Sequence, residues 1–188
     1  MSKRKLAYPS IEDVKRRVAN TSIGASTLRG QGGSGLVETA REFLLEKIDL
    51  ERLSEMPSSQ FSRWLDEKTE SLMREFQRKC GVENNWGAAR KAINIFLENA
   101  FYDRFLAAEY DLDKLEDILE IPLDSNVVSK LCDQSNKFKK FKQFKIKTLK
   151  PDDSRELQER AKEIAKHERT SRIYLDLKYW RAKKQRDE

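Results

Sequence analysis

The stretch NNWGAARKAINIFLENAFYDRFLAAEY, Asn84 to Tyr110, decides the fold class. Trp86, Ala89, Ile93, Phe96, Leu97, Ala100, Phe101 and Phe105 recur at helical spacing. An apolar surface that wide predicts a helix packed among others, the most buried of the chain. Lys91 stands on this otherwise apolar helix, next to Arg90. On the residues alone Lys91 is a lysine on the polar side of that helix.

The same period appears on both sides. In PSSQFSRWLDEKTESLMREFQRK, Phe61, Trp64, Leu65, Leu72, Met73 and Phe76 form one apolar stripe, with Ser58 or Ser59 as the expected cap. Leu36 to Lys47 reads as a helix opened by a glycine-rich loop, and Pro9-Ser10 as the cap of a short early helix. Downstream of an acidic stretch, Glu109 to Glu120, comes LEIPLDSNVVSKL. Pro122 ends what precedes it, Asp124 or Ser125 caps the next turn, and Val127, Val128 and Leu131 face inward. Two more helices are expected from Pro151 onward. With only 7 Gly and 4 Pro, and few alternating runs, the chain reads as all-α. Its 188 residues fit one helical domain or two lobes, about 20–120 and 121–188 with the N-terminal segment.

Charge divides the chain. Residues 1–129 hold 19 Lys/Arg and 22 Asp/Glu, a net of −3, and residues 130–188 hold 19 and 10, a net of +9. The basic run KFKKFKQFKIKTLK, Lys137 to Lys150, contains seven lysines and no acid. Phe138, Phe141 and Phe144, three apart, predict one apolar helix face with the lysines outside. Lys137, Lys139, Lys140 and Lys142 are then placed to meet phosphates. A solubilising surface is the alternative reading of the same charge.

Cysteine and histidine are scarce. Cys80, Cys132 and the single His167 leave no set for a metal cluster and nearly exclude Ser/His catalysis. The N-terminal MSKRKLAYPS lacks the apolar centre of a signal peptide, and no apolar run is long enough for a bilayer. The expectation is a reduced, cytoplasmic protein. GQGGSG, Gly30 to Gly35, formally matches the dinucleotide fingerprint, but no strand precedes it, so that reading fails. Presentation of N–H groups to a phosphate and a plain flexible connection both stay open.

Three segments in order carry a resemblance. GAARKAINIFLENAFY holds Lys91, EIPLDSNVV holds Asp124 33 residues later, and RIYLDLKYW holds Asp176 and Trp180 four apart. LRGQG, Leu28 to Gly32, precedes them. Together they resemble the helix-hairpin-helix DNA glycosylase superfamily, and within it the archaeal-type 8-oxoguanine glycosylases. The sequence departs from that pattern in places: Trp86-Gly87-Ala88-Ala89-Arg90 stands where the superfamily has a glycine-rich hairpin, Tyr174 where that branch has His, Leu36 where it tends to have an aromatic, and the chain is shorter.

The resemblance implies a two-lobed helical fold, DNA as partner, no cofactor, and a monomer. It implies Lys91 as the amine that attacks the sugar, with Arg90 beside it lowering its pKa and touching the DNA backbone. Asp124 is then the carboxylate that stabilises the charge building on the sugar. An aspartate at a helix N-terminus stays ionised, so cap and catalyst are one residue in two roles. Asp176, Trp180 and Gln31 are implied to hold the extruded base. The bland reading of Leu175, Tyr179 and Trp180 is a last helix packed on the core. The function implied is removal of a damaged purine. The alternatives are a helical nucleic-acid-binding protein without catalysis and a protein-interaction module.

Overall fold

The computed structural model describes residues 9–133 and 136–184, with side chains placed for 9–133 and 138–179. The chain is all-α, and no strand occurs among the described residues. Helix α1 (Ile11–Ser22) opens at Ser10, whose hydroxyl accepts the Asp13 N–H at 3.2 Å. Helix α2 (Leu36–Lys47) starts after Gly35, which has a left-handed backbone (φ 86°). A short α3 (Leu50–Ser54), which the sequence reading does not contain, is capped by Asp49. Helix α4 (Ser58–Cys80) follows, with Pro57 in the cap position and no side-chain cap. Ser58 and Ser59 therefore lie inside the first turn rather than ahead of it.

The segment Asn84–Tyr110, read as one helix, is two: α5 (Trp86–Tyr102) and α6 (Arg104–Tyr110). Asp103 makes the break. Its backbone is extended (ψ 115°), and Oδ1 accepts the N–H groups of Phe105 and Leu106 at 3.0 and 3.1 Å. A short carboxylate competes for backbone donors and favours a new N-terminus over continuation. Helix α7 (Ser125–Cys132), α8 (Pro151–His167) and α9 (Leu175–Lys184) complete the set.

Buried side chains form two clusters. The larger joins α1 to α6, with Leu65, Leu72, Phe76, Ile93 and Phe96 fully enclosed. The smaller contains Ile121, Leu123, Val127, Val128, Leu131, Leu157 and Leu175. The early helix, expected with the C-terminal part, belongs to the larger cluster through Val14, Val18 and Ala19. Its apolar face fits against α5 and α2, where most of the apolar surface lies.

Helix α5 touches both. Its interior residues build the larger cluster, while Trp86 at its start belongs to the smaller. Only Lys91, Ile95, Asn99 and Tyr102 escape full burial, and they recur every three or four residues as one stripe. Lys91 thus stands on the single less-covered edge of the central helix.

The basic run does not form the expected helix. Phe138 and Phe141 are buried and stack with ring centres 6.3 Å apart, but on a kinked 3-10 turn, Asn136–Phe141. Three-residue spacing suits that geometry, since i and i+3 eclipse in it. A second 3-10 turn, Ile146–Thr148, lies against the start of α5. There a side chain on Gly87 would collide with the Ile146 carbonyl and stand 2.9 Å from the Leu149 Cβ.

Candidate active site

Three elements bring three sequence-distant groups into one electrostatic neighbourhood: Lys91 on α5, Asp124 at the start of α7 and Asp176 in the first turn of α9. Burial lowers the pKa of the Lys91 amine, and Asp124 and Asp176 oppose that shift. Burial raises that of Asp176, Asp124 raises it further, and Lys91 pulls it back. Lys91 is therefore partly buried, and two carboxylates act on its charge. Its hydrogen bond goes to the Thr27 carbonyl (3.2 Å) and not to Asp124.

Each of these residues is fixed by its surroundings. Asp124 Oδ1 accepts the Val127 N–H at 2.8 Å, so the cap expected at this residue is present. Just upstream, the buried Gln158 of α8 clamps Ile121. Its Oε1 accepts from the Ile121 N–H at 3.2 Å, and its Nε2 donates to the Ile121 carbonyl at 2.8 Å. That bond pair satisfies the buried backbone of Ile121 just ahead of Pro122. Asp176 follows a 3-10 turn, Arg172–Tyr174, held at several points. Arg172 donates to the Leu119 and Ile118 carbonyls, both at 2.7 Å, and the Tyr102 hydroxyl donates to the Ile173 carbonyl at 3.2 Å. Tyr174 packs its ring on Phe101 and Tyr102.

The glycine-rich loop is tied to the same helix. Asn85 is fully buried. Its Oδ1 caps α5 by accepting the Ala88 N–H (3.1 Å), while its Nδ2 donates to the Gln31 carbonyl (2.7 Å). The loop and the helix that carries Lys91 therefore share one side chain. The Gln31 amide is engaged inside the chain: Nε2 donates to the Arg29 carbonyl (3.2 Å), and Oε1 lies 3.4 Å from Asn85 Nδ2. Gln31 holds the loop together in this conformation.

Arg90 is not a DNA-backbone residue. It is 2% exposed. Its Nε and Nη2 donate to the two oxygens of Glu120 at 2.9 Å each, and Nη1 to Asp66 (2.8 Å) and Thr69 (3.1 Å). Its guanidinium also lies 5.1 Å from the centre of the Trp86 ring. A single helical step rotates about 100°, so the neighbour of Lys91 faces a different side of the helix. Arg90 is also absent from the groups acting on Lys91, whose amine is lowered by burial instead.

The lysines of the basic run divide. Lys140 pairs with Asp153 (3.1 Å) and Glu156 on α8 and lies over the Phe141 ring. The absence of acids within the run hid these partners. Lys139, Lys142, Lys145, Lys147 and Lys150 are exposed, and no carboxylate among the described residues forms an ion pair with them. The side chains of Lys137 and Trp180 lie outside the described residues.

One site residue carried no sequence signal. Glu98 lies seven positions, two helical turns, beyond Lys91, so it shares that face of α5. It is 7% exposed, and no protein group hydrogen-bonds its buried Oε1. Burial and then Asp176 push its pKa up to about 9. Within the apolar stretch Ile93 to Phe101 it looks like a surface glutamate.

The described residues contain no His/Cys/Asp/Glu group arranged to hold a metal ion. No helix among them is long and apolar enough to cross a membrane. The chain matches no known protein family, no curated protein and no solved structure.

Proposed function

We propose that this chain is a DNA glycosylase with lyase activity that removes a damaged purine, such as 8-oxoguanine, with Lys91 as nucleophile and Asp124 as its electrostatic partner. The observation that carries the reading is the meeting of a half-buried lysine of lowered pKa with two carboxylates from distant helices. Such a lysine holds more of the neutral, nucleophilic amine at a given pH than an exposed one. Perturbed groups clustered in this way are candidates for chemistry.

The reaction follows from those groups. The Lys91 amine attacks C1′ with its lone pair. The N-glycosidic bond breaks, and its electrons leave with the base, which takes up a proton. Positive charge builds on the sugar during this step, and the Asp124 carboxylate counters it. The C1′–O4′ bond then breaks, O4′ takes a proton, and loss of the remaining N–H proton with ring opening leaves a Schiff base. Asp176 accepts hydrogen bonds from ring N–H groups of the extruded base. The exposed lysines from Lys139 to Lys150 supply phosphate contacts that carry affinity without sequence preference.

Borohydride trapping tests this. Duplexes with 8-oxoguanine or an abasic site should give a covalent protein–DNA adduct, since hydride reduces the Schiff base to a stable amine. Lys91→Gln should abolish the adduct and keep DNA binding. An adduct that persists in Lys91→Gln moves the nucleophile elsewhere.

A further inference from the structure

Glu98 is the buried titratable group that the reaction above leaves unused. It sits on the same face of α5 as Lys91, and Asp176 is the charged group that acts on it most. Two carboxylates in one poorly solvated region do not both ionise. The placement of the single cation decides which keeps its charge. Lys91 acts on Asp176 and is not among the groups acting on Glu98. The other neighbours are Tyr102, one turn on along α5, and Tyr174, whose ring packs on Tyr102. Both are uncharged phenols, since burial raises each above its ordinary value. Asp124 completes the set through its action on Asp176. Glu98, pushed up by burial and by Asp176 with no cation acting on it, is the group that holds a proton.

A neutral carboxylic acid is a hydrogen-bond donor, which a carboxylate is not. We propose that Glu98 is a specificity-determining residue: in its acid form it donates a hydrogen bond to the edge of the extruded purine, beside Asp176, which accepts one. The pair matches a purine edge that offers an acceptor next to an N–H. This rests on the glycosylase reading of Lys91 and Asp124. Its chemical content lies in the Oε1 of a side chain more than nine-tenths buried, an oxygen without a hydrogen-bond partner among the described residues. A buried polar group without a partner is costly, and a ligand edge that supplies the partner relieves that cost. The donor exists below about pH 9, where Glu98 is protonated, and disappears above it.

Glu98→Gln keeps an N–H donor in nearly the same shape, and Glu98→Ala removes it. Single-turnover release of 8-oxoguanine and borohydride trapping on an abasic duplex are measured for both variants and the unaltered chain. An abasic site has no base to recognise, so its trapping reports Lys91 alone. Glu98→Ala should slow base release at least tenfold with abasic trapping unchanged, and Glu98→Gln should restore most of the rate. The alkaline fall in base release should be present in the unaltered chain and absent in Glu98→Gln. Infrared difference spectra should show a carboxylic-acid carbonyl band at neutral pH that Glu98→Gln lacks. Base release unchanged in Glu98→Ala, equal loss in both variants, or no such band overturns the assignment while abasic trapping stands. No abasic adduct from the unaltered chain overturns the Lys91 reading, and this inference with it.

Discussion

Arg90 and Glu120 form a two-toothed ion pair, Nε and Nη2 each 2.9 Å from a carboxylate oxygen, with both side chains less than a tenth exposed. Asn94 adds a third donor to Glu120 at 3.0 Å. The pair joins the central helix to the segment that leads into Asp124.

Breaking this pair is the first stability prediction. Arg90→Met leaves Glu120 buried without its cation and should destabilise the fold by about 3–5 kcal/mol, measured by urea denaturation. Arg90→Met with Glu120→Leu should recover much of the loss. Burial alone would raise the Glu120 pKa, but Arg90, Arg172 and Asn94 together outweigh it and hold the carboxyl below its ordinary value. Its contribution is therefore complete above the unfolded carboxylate range, near pH 4–5. It is lost as pH falls through the lower folded value. Acid unfolding of the intact chain should begin below that range.

Glu98 has the opposite sign. Its folded pKa of about 9 lies far above that of an unfolded glutamate. Folding above about pH 4–5 requires proton uptake, so stability from this group is full below that range and declines until pH passes about 9. Glu98→Gln removes the decline and should stabilise the chain by on the order of 1–3 kcal/mol at pH 7, with no gain at pH 4. Denaturation at both pH values distinguishes the two.

Asp124→Asn separates cap from charge. Asn caps nearly as well, so stability should change by less than about 1 kcal/mol, while Asp124→Ala should lose about 1 kcal/mol. Base release should fall sharply in Asp124→Asn. The Asp124 charge raises the Lys91 pKa against burial. Its removal should move the rising limb of the pH–trapping profile on abasic DNA to lower pH.

The basic run should contribute unequally. Lys139→Gln with Lys142→Gln should flatten the slope of log affinity against log salt by up to about 2, since each phosphate contact contributes about 0.9. Lys140→Gln should change that slope less and cost stability instead, because its ammonium is shared between Asp153 and Glu156.

The periodic elements were legible from the residues: α2 runs over the expected Leu36–Lys47, and Asp124 caps α7. Periodicity registers which residues are apolar, and most helices here follow it. Asp103 was illegible because Phe105 continues the pattern across the break. Arg90 was misplaced because adjacency in sequence is divergence on a helix. Glu98 and the partners of Lys140 depend on contacts between segments far apart in the chain, which no local pattern encodes. Lys91, Asp124 and Asp176 could be named from motif order, but what acts on each required the packing of α5, α7 and α9.

Gly87 has a consequence of a different kind. The carbonyl of Ile146 rests where any side chain at that position would begin, and an atom of backbone cannot swing aside as the end of a lysine can. Any added side chain, alanine's included, would have to push main chain aside. Among descendants of this chain, position 87 should stay glycine, and position 91 should stay lysine if the proposed reaction holds. Unchanging residues would then trace two unrelated histories, one written by a reaction and the other by two stretches of main chain that left no room between them.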